Sequence, residues 1–224
     1  MAQVNLNFHF NTVTVYQAEK DSITLDNEQK SLIAQLEVTG RQLLQGLDIT
    51  HGLYIWGCPG RGKSYIIDNF YSSLPIKNKK RVHFHQFFQD IHQRLNSVEN
   101  KQHGLDETID DVLLDCSLLF FDEFHLHDSG DSVLIKWLLE HLFRKGITLV
   151  VTSNYPPDML LPNQLYHHLF IPSINLIKKH MQTVELTGYI DYREYRHTQQ
   201  NAFSDGLFLI CQQMKKEAII TYPK

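Results

Sequence analysis

The segment Gly57-Cys58-Pro59-Gly60-Arg61-Gly62-Lys63-Ser64 constrains this chain more than any other, because it fits G-x-x-x-x-G-K-[ST] at every fixed position. It follows an apolar run, 53–56, that reads as a buried strand, and it opens a helical stretch over 62–74. A strand that turns through glycines into a helix makes a phosphate cradle. Successive N–H groups and the helix N-terminus face an anion, and no Cβ blocks its approach. Lys63 is expected to reach the β- and γ-phosphates of a nucleoside triphosphate, taken here as ATP, and the Ser64 hydroxyl to ligate Mg2+. The expected nucleotide contacts are the eight residues of the motif and the following Tyr65.

The surrounding pattern alternates strand and helix. Strands are expected at 53–56, 81–85, 118–121, 148–152 and 182–186, and helices at 62–74, 87–95, 106–115, 132–144 and between Pro157 and His180. This alternation predicts an α/β fold, a parallel sheet flanked by helices. The continuous apolar runs at 118–121 and 148–152 are expected to be central strands. Ahead of this core, Ile33, Leu36, Leu43, Leu44 and Leu47 recur at helical spacing after Asp26, a candidate N-cap. Further upstream, Val4, Leu6, Phe8 and Phe10, then Val13 and Val15, alternate with polar residues, which predicts two short strands around Asn11 and Thr12. The expected organisation is an N-terminal β appendage at 1–25, a nucleotide-binding core at 26–190 and a short C-terminal segment or reduced lid at 191–224.

Two further strand ends carry chemistry. Leu118, Leu119, Phe120 and Phe121 run directly into Asp122 and Glu123, which sets two carboxylates at the C-terminal end of a buried strand, where ligands bind in open α/β sheets. Asp122 is expected to hold magnesium, and Glu123 to orient and deprotonate the attacking water. The next strand ends at Thr152-Ser153-Asn154. Asn154 there is either a holder of the lytic water or a turn former ahead of Tyr155-Pro156-Pro157.

Composition narrows the remaining classes. In 224 residues, 21 basic and 25 acidic side chains give a net charge of -4, which disfavours a nucleic-acid partner drawn by a domain-wide positive field. The densest basic cluster, Lys77, Lys79, Lys80 and Arg81, reads as a solvated turn. Three widely spaced cysteines, Cys58, Cys116 and Cys211, argue against a disulfide framework and for a cytoplasmic setting. Cys58 reads as a variable position of the phosphate loop. No apolar run is long enough to span a bilayer, so membrane contact is expected to be peripheral. The pairs His83 with His85 and His125 with His127 are read as structural rather than metal-ligating.

Stretches beyond the two nucleotide motifs carry a family likeness: Gly52-Leu53-Tyr54-Ile55-Trp56-Gly57, Asp68-Asn69-Phe70-Tyr71, Arg81-Val82-His83-Phe84-His85-Gln86-Phe87, Val150 to Pro157, Phe170-Ile171-Pro172 and Asp191-Tyr192-Arg193. In these the chain resembles the ZapE-like ATPases, an AAA+ group with bacterial and mitochondrial members. The resemblance covers roughly 26–193. It implies an AAA+ sheet and ATP hydrolysis coupled to remodelling of a protein partner, in bacteria the tubulin-like division ring at the inner membrane. It also implies homo-oligomer assembly and an arginine supplied by a neighbouring subunit. Where the family carries Leu-Gln-Arg-x-x-Phe-Leu-Pro, this chain reads Leu165-Tyr166-His167-His168-Leu169-Phe170-Ile171-Pro172, with His167 at the arginine position. Arg144, Arg193 and Arg196 remain, and Arg193 is preferred because it lies in the family-like Asp-Tyr-Arg. A DNA-associated, helicase-loader-like ATPase and a nucleotide-dependent adaptor with little turnover are the alternative readings.

Overall fold

In the computed structural model, the described residues are 8–21, 23–47, 52–96, 104–126, 129–163 and 165–188. Five strands form one sheet: β1 (Gly52–Trp56), β2 (Lys79–His83), β3 (Leu118–Asp122), β4 (Thr148–Ser153) and β5 (Met181–Glu185). Their order is β2-β3-β4-β1-β5, and every pairing is parallel. The expected α/β class with a parallel sheet is therefore the observed one. β3 and β4 lie inside the sheet, and all residues of β4 are buried. Strands covered on both faces read as unbroken apolar runs for this reason. The edge strands β2 and β5 carry Lys79, Lys80, Arg81, Gln182, Thr183 and Glu185.

Helices cover both faces. The period of two along each strand divides its side chains between two cores. Leu119 and Phe121 of β3 join Tyr54, Leu149 and Val151 against α4 (Phe84–Asn96), α5 (Leu105–Val112), α6 (Ser132–Arg144) and α7 (His167–His180). Leu118 and Phe120 join Leu53, Ile55 and Val150 on the other face, against α1 (Phe10–Lys20), α2 (Asn27–Leu44) and α3 (Lys63–Ser73). Aromatic edges lock each layer. Phe84 lies 4.4 Å from Phe124, and Phe10 lies 5.1 Å from Phe70 in an edge-on contact.

The N-terminal β appendage is corrected where the structure describes it. Residues Phe10–Lys20 form a helix, not strands around Asn11 and Thr12. Its buried face is Phe10, Thr14 and Ala18, spaced by four, while Val13 and Tyr16 are exposed at 54% and 67%. This face packs into the same core as Leu36 and Phe70, so α1 is an integral layer. The proposed strand residues Val4 and Leu6 lie outside the described residues, as does the C-terminal segment 191–224.

The basic cluster is corrected too. Lys79, Lys80 and Arg81 belong to β2 rather than to a solvated turn. Lys79 Nζ donates to the carbonyls of Tyr71 and, at 2.6 Å, Leu74, and Lys80 Nζ donates to the carbonyl of Val112 at 2.5 Å. Both ammonium groups bond carbonyls at the C-terminal ends of the neighbouring helices, and burial lowers the Lys79 pKa. No helix among the described residues is long and apolar enough to cross a membrane.

Candidate nucleotide site

The loop between β1 and α3 is shaped by approaches that only glycine permits. A Cβ on Gly57, at φ +155, would lie 2.4 Å from the carbonyl oxygen of Leu186. Gly62, at φ +77, caps α3 in the left-handed conformation, and a Cβ there would meet the Gln29 amide at 2.8 Å. The loop is tied where it leaves β1. Gly57 N–H donates to Ser153 O at 3.3 Å, and Leu186 N–H donates to Trp56 O at 2.8 Å. The N-terminus of α3 opens onto a cleft of about 390 Å³ lined by Pro59, Gly60, Arg61, Gly62, Lys63, Ser64 and Tyr65, the predicted phosphate loop.

Lys63 is 91% buried, and its ammonium lies among oxygen acceptors: Gly57 O at 2.5 Å, Cys58 O at 3.0 Å and Asn154 Oδ1 at 3.2 Å. Asn154 therefore stands at the cleft wall, across from the loop, instead of serving only as a turn residue. The turn is made by its neighbour: Ser153 Oγ accepts from Tyr155 N–H at 3.1 Å and donates to Phe124 O at 2.7 Å. The cleft also holds Glu123 and Thr152. Glu123 adopts φ +56, a conformation that costs a non-glycine residue of order 1–3 kcal/mol. Two contacts hold that conformation: Glu123 N–H donates to Thr152 Oγ1 at 3.2 Å, and His125 Nδ1 donates to Glu123 O at 2.6 Å.

Asp122 is placed differently from its neighbour. Its side chain is 13% exposed and does not line the loop cleft. Oδ2 accepts from Arg81 Nε at 2.6 Å, and Oδ1 faces Thr152 Oγ1 at 3.4 Å. Asp122 and Arg81 line a second cleft, about 650 Å³, along β2. The Arg81 guanidinium also donates through Nη1 to Asp68 on α3. Partial burial works against its charge, but the hydrogen bonds it donates to Asp122 and Asp68 and their negative charges outweigh it and raise the pKa.

Ser64, an exposed residue at the first turn of α3, offers a hydroxyl, and Asp122 offers a carboxylate at the end of β3. Both are hard oxygen donors of the kind Mg2+ takes through one or two protein ligands, water and phosphate. Asp122 is not itself in the cleft wall, but its Oδ1 lies 3.4 Å from the hydroxyl of Thr152, which is, so the donor set fits. The His83/His85 and His125/His127 pairs add nothing to this. His83 and His85 sit on β2 and α4, His127 lies outside the described residues, and no group of three His, Cys, Asp or Glu among the described residues is arranged for a metal.

Sequence reading missed the far wall of the cleft, which is formed by Ile23, Leu25 and Gln29. Gln29 is 2% exposed and performs two tasks. Its Oε1 accepts Asp26 N–H at 3.0 Å while Asp26 Oδ1 accepts Gln29 N–H at 2.8 Å, a capping box on α2. Its Nε2 donates to the carbonyl of Arg61 in the phosphate loop at 3.0 Å. Asp26-x-x-Gln29 is readable as a cap, but nothing in its spacing points to Arg61. Of the arginine candidates, Arg144 pairs with Asp106 at 3.1 Å and does not line the cleft, whereas Arg193 and Arg196 lie outside the described residues. His167, at the expected arginine position, opens α7 with Nδ1 3.2 Å from Leu161 O.

Residues 11–218 match the AFG1-like ATPase family. The cell division protein ZapE of Escherichia coli K12 is 41% identical over 156 residues, which cover 70% of this chain and 42% of ZapE. Lactation elevated protein 1 homolog B of Danio rerio is 36% identical over 153 residues, 63% of this chain and 30% of that protein. The chain thus spans less than half the length of these relatives. Among solved structures, DnaI superposes with a TM-score of 0.57 at 18% identity over 75% of this chain and 86% of DnaI. AMPPCP-bound DnaA from Aquifex aeolicus gives 0.54 at 13% identity over 90% of this chain and 56% of DnaA. At such identities the likeness speaks to the fold alone, a parallel sheet flanked by helices. By the extent of the family match and the cleft that its residues build, the chain belongs to the AFG1-like ATPase family.

Proposed function

We propose that this chain binds ATP with magnesium in the loop cleft, hydrolyses it, and couples turnover to remodelling of a protein partner. The convergence of Lys63, Glu123 and Asn154 on one cleft at the N-terminus of α3 carries this reading. The loop N–H groups and the α3 N-terminus bind the phosphates, and Lys63 exchanges its carbonyl acceptors for β- and γ-phosphate oxygens. Ser64 and Asp122 would hold magnesium, which when bound supplies neutralisation of the phosphate charge. Glu123 orients and deprotonates the attacking water, and Asn154, already hydrogen-bonded to Lys63, fixes that water beside the γ-phosphate. Ile23, Leu25 and Tyr65 offer apolar surface to the nucleoside.

The unit that performs this is the core 26–190 together with the packed helix α1. Arg193 is the candidate for the arginine that stabilises transition-state charge across a subunit boundary. The cell-division designation of a 41% identical relative supports a partner in the division machinery; the tubulin-like ring protein as that partner, and a cytoplasmic site of action peripheral to the inner membrane, follow from the family resemblance. Phosphate release by the wild type and Glu123→Gln tests the reading. The variant is expected to lose about 10²-fold or more in turnover while still binding ATP. Equal turnover in the two proteins overturns it.

A further inference from the structure

The two magnesium ligands of the proposed site sit on different elements, Ser64 on α3 and Asp122 at the end of β3. One side chain ties those elements together. Arg81, on the edge strand β2, donates through Nε to Asp122 Oδ2 at 2.6 Å and through Nη1 to Asp68 Oδ1. Asp68 is four residues after Ser64 on α3, so the two share a helix face, and a bond to one fixes the setting of the other. The Arg81 side chain is only 21% exposed, and that of Asp122 13%, so the contact is shielded more than an ordinary surface pair. Arg81 takes one carboxylate oxygen, and the other turns toward Thr152 Oγ1 at 3.4 Å, a distance too long to saturate it.

From this we infer that Arg81 is a positioning residue for magnesium: it fixes the Asp122 rotamer with one oxygen turned away from itself and sets the spacing between Asp122 and the Ser64 face of α3. The inference rests on the Mg·ATP reading above. Two nitrogens of one rigid fork serve the two carboxylates, and a lysine ammonium lacks that fork. Removal of a group that orients a metal ligand typically costs 10–100-fold in metal affinity.

The test uses the full chain and a fluorescent ATP analogue, with Mg2+ titrated at fixed nucleotide and binding followed by fluorescence. Arg81→Gln is expected to raise the Mg2+ concentration at half-effect about tenfold or more, with nucleotide binding in EDTA unchanged within about twofold. Arg81→Lys gives an intermediate shift, and Asp68→Asn, at a carboxylate 60% exposed, a smaller shift in the same direction. If Arg81→Gln does not fold, the Asp68→Asn titration decides alone. An unchanged or lowered Mg2+ requirement overturns the inference, because Arg81 is then a fold contact or a competitor for Asp122. No Mg2+-dependent binding by the wild type removes the functional reading and the inference with it.

Discussion

Gln29→Ala tests the link between the N-terminus of α2 and the phosphate loop. The side chain is almost fully buried, accepts Asp26 N–H at 3.0 Å and donates to Arg61 O at 3.0 Å. Each hydrogen bond contributes about 1 kcal/mol net, so removing both costs about 2 kcal/mol, before any cost of the space left behind. For a chain of this size, 1 kcal/mol corresponds to about 2–4 °C in Tm, so the expected fall is about 4–8 °C by thermal denaturation. The Arg61 carbonyl loses its anchor, and if the whole of that bond serves to preorganise the loop, nucleotide affinity falls up to about fivefold. Gln29→Glu separates the two tasks, because it keeps the acceptor for Asp26 N–H but sets a carboxylate against the Arg61 carbonyl oxygen. It is expected to retain the cap and still lose nucleotide affinity. A Gln29→Ala protein with Tm within about 1 °C of wild type and unchanged affinity refutes the bridge.

Gly57→Ala forces a Cβ to within 2.4 Å of the Leu186 carbonyl oxygen, a backbone atom, so the loop must move. Loss of nucleotide binding together with a lowered Tm is expected, and a wild-type affinity would contradict the loop geometry. A pH effect follows from Asp110, whose carboxyl is held below its usual range by the Lys145 ammonium at 2.8 Å and by His141. Because the folded pKa is depressed, the contribution is present above about pH 4 and lost as pH falls through the folded value. The group is 45% exposed, so solvent screening keeps the contribution below about 1 kcal/mol. Asp110→Asn should lower the urea midpoint slightly at pH 7, with the difference closing toward pH 3, and a gap that widens in acid would contradict the pairing.

The parts of the fold that were legible in the sequence are those whose burial leaves a one-dimensional trace. β3 and β4 are covered on both faces, so their apolar runs are unbroken, and α6 falls at Ser132–Arg144 as expected. α1 was misread because its buried stripe is built from Phe10, Thr14 and Ala18, two of them small or polar, while the exposed Val13 mimics strand alternation. β2 was placed two residues late because an edge strand carries lysines, here turned onto helix-end carbonyls, and Phe84, Phe88 and Ile91 already follow helical spacing. That the loop, Glu123 and Asn154 lie together at one cleft is readable because each ends a strand or opens a helix. Gln29 and Arg81 were not, because they reach the loop and Asp122 across the fold, over separations of 32 and 41 residues that local pattern does not register.

The most direct measurement of the central claim is the affinity for Mg·ATP of the wild type and Lys63→Ala, by calorimetry on the full chain. The account predicts saturable binding by the wild type and about ten- to hundredfold weaker binding by the variant, as expected for charge-assisted hydrogen bonds worth about 1.5–3 kcal/mol. Equal affinity in the two proteins would contradict it, because the buried Lys63 ammonium would then play no part in holding phosphate.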